Sequence, residues 1–431
     1  MAKEKLTLQQ KIGKTKFKQP SKFLWWTLNK LIIKPFMEPK FNVHYDIKDN
    51  INDCKGPCFL IYNHQSRADY IWLSQATYPR RLNFVTGYNE FFRSKFKTIF
   101  KMLHSIPKKN FTNDIVAMRG MKQIIEQNGV VCFSPEGMSS IVGHNQPIVT
   151  GSGRFFKFYN IPIYILKIKG GYLTNHKVCL DDRLGKVDVE LSCLLTPEQL
   201  KSMSNEEVDA CVDKALWQDD YEWQKEQHIK WKTKGRICDH LHDICYKCPK
   251  SGAELEMIGE GNVLKCNYCG NGAHMNDYYE WVPFDETCVL KESPSKWVDW
   301  ERTEIIKEIR ANPDYSFSEE VEIGELPPYK YVKHNKTSVV VGKGVITVDH
   351  QGIHLRGEKH GQEFNFDWSY QLIPTLVVVT DVTFFSLYAN GVYHDFFPKR
   401  PCVGKLLLLV EEMHRLHVNT WKNFPWYDWM Y

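Results

Sequence analysis

His64 and Asp69 stand five positions apart in Asn63-His64-Gln65-Ser66-Arg67-Ala68-Asp69, directly after the apolar run Cys58-Phe59-Leu60-Ile61-Tyr62. An imidazole held by a carboxylate is a general base. The carboxylate fixes the tautomer and stabilises the imidazolium, and the other ring nitrogen is left to take a proton from a hydroxyl. On one straight helix the two side chains would point about 140° apart, so the pair works only if His64 lies in a turn and Asp69 on the helix that follows. The flanking residues predict that arrangement. The run 57–62 is short, apolar and without helical spacing, as a buried strand is, and Ser66 or a neighbour then opens a helix through Tyr70, Ile71, Trp72 and Leu73. A strand-to-helix turn at the carboxyl end of a sheet is where α/β folds place reactive groups. The plainer reading of the same residues is a turn histidine that caps a helix, with Asp69 exposed.

Val130-Val131-Cys132-Phe133 is a second buried-strand run, followed at once by Ser134-Pro135-Glu136-Gly137-Met138-Ser139-Ser140. Asn-His-x-x-x-x-Asp after one strand and Phe-x-Pro-Glu-Gly after a later one resemble the first and third blocks of the glycerolipid acyltransferases, the PlsC-like family that includes 1-acylglycerol-3-phosphate acyltransferase. Ile161-Pro162-Ile163, a strand after Gly151 and Gly153, extends the resemblance over about residues 40–195. The resemblance implies an α/β fold with a mixed sheet and helices. It implies transfer of a fatty acyl group from an acyl-CoA or acyl carrier protein thioester to the hydroxyl of a lysolipid, such as 1-acylglycerol-3-phosphate, in phospholipid biosynthesis. His64 would be the base and Asp69 its orienting partner, with a helix N-terminus near the turn stabilising the oxyanion. Asn63, Ser66, Glu136 and Gly137 would bind substrate.

The second block departs from the family. In His104-Ser105-Ile106-Pro107-Lys108-Lys109-Asn110 only Ile106 and Pro107 fit, and Asn110 falls where the family has an Arg for the acceptor's phosphate. Met138 and Ser139 stand where Thr and Arg are common. Both changes remove cations, which leaves a phosphorylated acceptor open. Lys108 or Lys109 would substitute as point charges without the fork of Arg. An inactive lipid-binding or scaffold protein on the same fold is the alternative, favoured by these departures and opposed by the intact His64, Asp69 and Glu136.

The chain has 431 residues, 43% of them hydrophobic, enough for a sizeable core and two or three domains. It divides into a basic arm with an amphipathic membrane-interface helix (1–40), the acyltransferase domain (41–235), a zinc-ribbon-like module (236–285), a linker (286–328) and a β-rich domain with a C-terminal helix (329–431). Thirteen cysteines are scattered along it with no cleavable signal segment at the start, which points to a reducing compartment and free thiols. No apolar run reaches the roughly 18 residues of a membrane span. The net charge is +5, but residues 1–40 hold ten Lys and two Glu, a local +8 that leaves the body at −3. A positive head on a mildly acidic body suits an anionic membrane surface on the cytoplasmic, inner side, with the protein peripheral to it. Nucleic acid gripped along the whole chain is not expected.

Residues 1–20 read as a mobile basic arm. A helix from Ser21 places Leu24, Trp25, Leu28, Leu31 and Ile32 on one side and Lys22, Asn29, Lys30 and Lys34 on another, and Pro35 stops it. Trp and Leu opposite Lys suit a membrane interface, and a helix packed on the domain is the other reading. Arg93, Lys95, Lys97, Lys101, Lys108 and Lys109, interleaved with Phe92, Phe96, Ile99, Phe100 and Leu103, suit phosphate groups or a solvated face. Helices are predicted over 91–103 and 114–127, strands over 80–85, 161–168 and 187–195, and a Ser204/Glu207 capping box opens a later helix. The charged, Trp-rich 219–234 leads out of the domain.

Cys245-x-x-Cys248 and Cys266-x-x-Cys269 are separated by 17 residues, the spacing of a treble-clef or ribbon zinc site, so structural zinc is expected on Cys245, Cys248, Cys266 and Cys269. The second knuckle ends Cys269-Gly270, however, and the same ending in the first is Ser251-Gly252. A ligand is missing there, with Cys245 standing in or the metal absent. Within 286–328 only a helix near 297–310 breaks the linker composition. From 337 to 397 six strands follow, with a hairpin turn at Asn390-Gly391, and then a helix from Pro401 with Val403, Leu406, Leu407, Val410, Met413 and Leu416 at helical spacing. Strands closed by one helix resemble a pleckstrin-homology-like barrel. The aromatic tail Trp421, Phe424, Trp426, Tyr427, Trp429 and Tyr431 either dips into an interface or packs on that barrel.

Overall fold

The computed structural model describes residues 6–333, 337–379, 381–418 and 420, so the aromatic tail lies outside the described residues. Seven strands form the first sheet: β1 (Asn42–Ile47), β2 (Cys58–Tyr62), β3 (Leu82–Gly87), β4 (Ile106–Lys108), β5 (Val130–Phe133), β6 (Ile163–Lys169) and β7 (Lys186–Leu195), in the order β1-β7-β6-β2-β5-β3-β4. Every pairing is parallel except β6 with β7, which makes the sheet mixed, as expected. All of β2 is buried. Its side chains alternate between two cores, as strand geometry requires. Cys58, Leu60 and Tyr62 face Trp25, Ile71, Trp72 and Leu73, while Phe59 and Ile61 face Ala117, Met121, Ile124 and Phe156. Helix Asp69–Thr77 covers the first face, and helices Ile115–Ile125, Ser152–Tyr159 and Asn205–Leu216 cover the second. The capping box at Ser204 and Glu207 forms as predicted.

The amino-terminal stretch differs from its expectation. It is packed: Thr7 caps a short helix, Leu8–Gly13, the Leu8 amide donates to Pro328 O (2.8 Å), and Phe17 is buried beside Met121. The next helix, Lys22–Thr27, runs on as a π-helix over Leu28–Met37 with Pro35 inside it, so the proline does not stop the run. The wider π turn also changes which residues share a face. Trp25, Asn29 and Ile33 turn inward, and Phe23, Trp26, Leu31, Ile32 and Phe36 are exposed. The predicted helix over 91–103 is broken into a 3₁₀ turn, Tyr88–Phe92, and a helix, Lys97–Met102. Val332 N donates to Phe92 O and Ser94 N to Val332 O, which takes backbone groups that a continuous helix would use.

The second sheet is a four-stranded antiparallel ribbon of β8 (Met257–Glu260), β9 (Val263–Cys266), β10 (Gly272–Met275) and β11 (Trp281–Pro283). The third is antiparallel and built from β12 (Ser316–Glu325), β13 (Val339–Asp349), β14 (Gly352–Lys359), β15 (Gln362–Glu363), β16 (Phe366–Trp368), β17 (Val377–Val378), β18 (Phe385–Ala389) and β19 (Val392–Pro398). Its order is β15-β14-β13-β12-β19-β18-β17, β16 pairs with β14, and helix Val403–Val418 follows. Asn390 and Gly391 both have positive φ, as a two-residue hairpin turn of type I′ demands.

Residues 286–328 are not a bare linker. They supply helix Pro294–Ala311 and strand β12, which sits inside the third sheet. The helix buries Trp297, Val298, Ile305 and Ile309, and Arg302 is held by Glu411 (2.6 Å) and Glu412 (2.7 Å). Charged residues buried in pairs make this stretch look solvent-facing by composition. Residues 219–234 are likewise wedged in: Trp231 is fully buried, and the Asp220 carboxylate accepts from Gly170 N and Tyr172 N. One core runs through the ribbon, helix Pro294–Ala311 and the third sheet, and reaches Met138, Ile141, Val142 and Tyr172 beside the first sheet.

Candidate active site

β2 and β5 are parallel neighbours, and Ile61 is paired with Phe133. His64 and Glu136 each lie three residues beyond that pair, so the register alone brings the two motifs out of the same sheet edge side by side. Asp69 is the first residue of helix Asp69–Thr77, and its carboxylate reaches back over the turn. Its Oδ2 accepts from His64 Nδ1 at 2.7 Å and from the Gln65 amide at 3.1 Å, and its Oδ1 accepts from the Ser66 amide at 3.0 Å. The plainer reading, with Asp69 exposed, is therefore wrong: its side chain is 3% exposed and that of His64 is 31% exposed.

With the carboxylate ionised, Nδ1 carries the proton and Nε2 is the lone-pair nitrogen. Nε2 makes no hydrogen bond among the described residues. Burial pushes the Asp69 carboxyl up from its ordinary value, against the hydrogen bond and charge of His64. This arrangement can take a proton at Nε2 and hold the resulting imidazolium.

The residues expected to bind substrate have mostly taken protein partners. Asn63 is buried and pins β6 through paired bonds, Nδ2 to Ile168 O and Ile168 N to Oδ1, both 2.7 Å. Ser66 Oγ accepts from the Ala68 amide, and with Gln65 N and Ser66 N bound by Asp69 these amides near the helix start are occupied. These three amides are thus not available to an oxyanion. Glu136 is buried and turned inward: its Oε1 accepts from His64 N (3.1 Å) and Asn145 Nδ2 (2.8 Å), and its Oε2 from Gln146 N (3.1 Å). Burial pushes its carboxyl up to about 8 in spite of those bonds. Gly137 has φ +80°, and its carbonyl accepts from Asn110 Nδ2 at 2.7 Å, so the residue at the family's Arg position braces the third block.

Lys108 Nζ folds back onto Lys109 O and Thr112 O, and burial lowers its pKa. Lys109 Nζ donates to Gly391 O (3.0 Å) and lies over the rings of Tyr88 and Tyr388. Both ammonium groups are held by the chain itself.

Three residues carry weight that the motifs did not announce. Asn145 links Glu136 to Gln218 N (2.7 Å), and His144 Nε2 meets Asp299 at 2.9 Å, which joins the loop after β5 to helix Pro294–Ala311. Lys177 is buried beside Glu136, donates to Ser139 O (3.1 Å) and Val378 O (2.8 Å), and is lowered to about 7 by burial. The available signal was the run His144-Asn145-Gln146, three large polar residues in a row shortly after the third block. Lys177 gave none.

Of the four cysteines expected to gather, Cys248, Cys266 and Cys269 come together, with their sulfurs within 4.8 Å of one another. Cys245 does not join them. It is fully buried in the shared core, with its sulfur 4.0 Å from Pro294 O.

Compared with known proteins, residues 42–168 match the family model described as Acyltransferase. Among solved structures, the crystal structure of the 1-acyl-sn-glycerophosphate (LPA) acyltransferase, PlsC, from Thermotoga maritima is similar at 18% identity. That match covers 48% of this chain and 79% of that one with a TM-score of 0.35, too distant to carry an argument by itself. No curated protein matches. Over residues 42–168, the stretch that holds His64, Asp69, Glu136 and Gly137, the chain is thus similar to the acyltransferases.

Proposed function

We propose that the chain is a membrane-peripheral O-acyltransferase that moves a fatty acyl group from a coenzyme A or carrier-protein thioester to a lysolipid hydroxyl. The observation that carries this reading is the 2.7 Å bond from His64 Nδ1 to a buried Asp69, with Nε2 left over at a partly open sheet edge. The acceptor hydroxyl gives its proton to Nε2 as its oxygen attacks the thioester carbonyl. The tetrahedral intermediate then collapses with cleavage of the carbon–sulfur bond, and the imidazolium returns the proton to the leaving thiolate. Asp69 stabilises the imidazolium in between.

Acceptors without a terminal phosphate are favoured over 1-acylglycerol-3-phosphate, because Asn110 replaces a cation and the ammonium groups of Lys108 and Lys109 are already bound. Phe23, Trp26, Leu31, Ile32 and Phe36, exposed among Lys22, Lys30 and Lys34, suit an anionic inner-leaflet surface. On its inner side the same segment packs on the helix that Asp69 begins, where Asn29 accepts from Gln75 (2.9 Å).

The test is to incubate the protein with acyl thioesters and a panel of lysolipids, with and without a terminal phosphate, and to read diacyl products by mass spectrometry. Products from the phosphate-free acceptors are expected. No product from any pair, with vesicle binding intact, would favour a lipid-binding scaffold instead. Phe23→Ser with Phe36→Ser should weaken binding to anionic vesicles by on the order of 100-fold, as expected when two large apolar side chains are lost from the interface.

A further inference from the structure

Cys248 and Cys269 have their sulfurs 3.6 Å apart, and Cys266 completes a set within 4.8 Å. Around a tetrahedral zinc with bonds of about 2.3 Å, two sulfurs stand roughly 3.8 Å apart. The chain approaches this point through two matching turns. Gly252 N donates to Cys248 O (2.8 Å) and Gly270 N to Cys266 O (2.9 Å), and the two glycines have φ of +72° and +73°. Nothing lies within 4 Å of where a Cβ would be at either glycine, so the left-handed backbone is the reason for both. Backbone amides of Lys250 and Ser251 point at the Cys248 sulfur, those of Tyr268 and Cys269 at the Cys266 sulfur, and Asn271 Nδ2 lies 3.6 Å from the Cys248 sulfur. In the second turn Cys269 precedes the glycine. In the first Ser251 does, and its Oγ lies 3.9 Å from the Cys266 sulfur.

We propose that Cys248, Cys266 and Cys269 bind one Zn²⁺, with Ser251 Oγ at the fourth corner in place of a thiolate. The repeated turn identifies the fourth position, and Cys245 has no part in it. A neutral hydroxyl supplies one negative charge fewer than a fourth thiolate and is a weaker donor for zinc, so the ion is held less tightly than in a four-cysteine knuckle. Its role is structural: it ties the 248–252 loop to the turn between β9 and β10, and its binding free energy adds to the stability of the ribbon.

The experiment uses the full chain, untagged and reduced, with zinc measured by mass spectrometry and Co²⁺ exchanged in for its absorption spectrum. One equivalent of zinc and a tetrahedral cobalt–thiolate spectrum are expected. Cys245→Ser should keep the metal, and Cys269→Ser should lose at least four-fifths of it. Ser251→Cys, which replaces the hydroxyl by a thiolate and leaves no corner of the site empty, should bind at least tenfold more tightly and shift the cobalt bands. The proposal is overturned if the reduced protein binds neither metal, if Cys245→Ser loses the ion, if Ser251→Cys leaves affinity and spectrum unchanged, or if Cys248 and Cys269 are found joined as a disulfide.

Discussion

The turns after β2 and β5 leave one sheet edge in the same register, and each carries a motif residue three positions beyond the pair Ile61 and Phe133. They use those residues in opposite ways. In the first, Asp69 takes both nearby amides and one nitrogen of His64, which leaves the other nitrogen without a partner among the described residues and the ring partly open. In the second, both oxygens of Glu136 accept from the chain, one of them from the backbone of His64 itself. The difference teaches that membership of a motif does not define a role. What a side chain has left over after its internal bonds decides whether it faces substrate, and by that criterion His64 is the proposed base and Glu136 the residue that positions it.

The sharpest way to break this contrast, apart from His64 itself, is Asp69→Asn. The amide would donate to Nδ1 and force the proton onto Nε2, which removes the base. Turnover should fall on the order of 10³-fold with KM little changed, as steady-state kinetics would read it. Glu136→Gln should act differently. One of the donors that now meet an oxygen of the Glu136 carboxyl would face an NH₂, costing about 1–3 kcal/mol of stability in urea unfolding, with only a roughly tenfold loss of turnover as the His64 turn shifts. If Glu136→Gln loses as much activity as Asp69→Asn without losing stability, Glu136 acts on substrate and the contrast fails.

Acidity offers a third handle. Burial raises Glu136 to about 8 and Asp213 and Asp220 to about 7, from ordinary values of 4.5 and 3.8. Groups raised on folding stabilise fully below their unfolded pKa, and that contribution is lost as pH rises through the folded value. Lys177, lowered to about 7, is charged in both states below that pH and adds little slope there. Across pH 5 to 7 these carboxyls contribute a fall in stability, while His176, His242, His394 and His414, lowered by burial, contribute a rise. The readout is therefore a difference: Glu136→Gln should lose the Glu136 share of the fall, and a stability gap between variant and unaltered chain that stays constant over that interval would contradict the burial ascribed to this carboxyl. Asn145→Ala removes two buried hydrogen bonds, to Glu136 and from Gln218 N, and should cost about 1–3 kcal/mol in urea unfolding.

The His64–Asp69 pair was legible because its partners are local: a strand run, a turn and a helix start within the twelve residues 58–69 encode the whole arrangement. The role of Glu136 was not legible, since its donors arrive from Asn145 and Gln146 in a loop that no motif marks. Cysteine spacing allowed two first knuckles that share Cys248, and only the folded turn, with Gly252 repeating Gly270, selects Ser251 over Cys245. The exposed apolar face of residues 23–36 was misplaced because a helical wheel assumes α-helical phase, whereas Leu28–Met37 is a π-helix. The helix near 297–310 was legible from its spacing and forms as Pro294–Ala311, but its packing was not, because Arg302 and its two glutamates are buried as a group, and strand β12 was missed.

The most direct test of the central claim is acyl transfer by His64→Ala beside the unaltered chain, with urea unfolding on both. Product at or near the uncatalysed background is predicted, a loss of at least 10³-fold, with the unfolding free energy changed by no more than about 1–3 kcal/mol for one lost hydrogen bond, since the buried Asp69 keeps the Gln65 and Ser66 amides. Transfer by the variant within tenfold of the unaltered chain would contradict it.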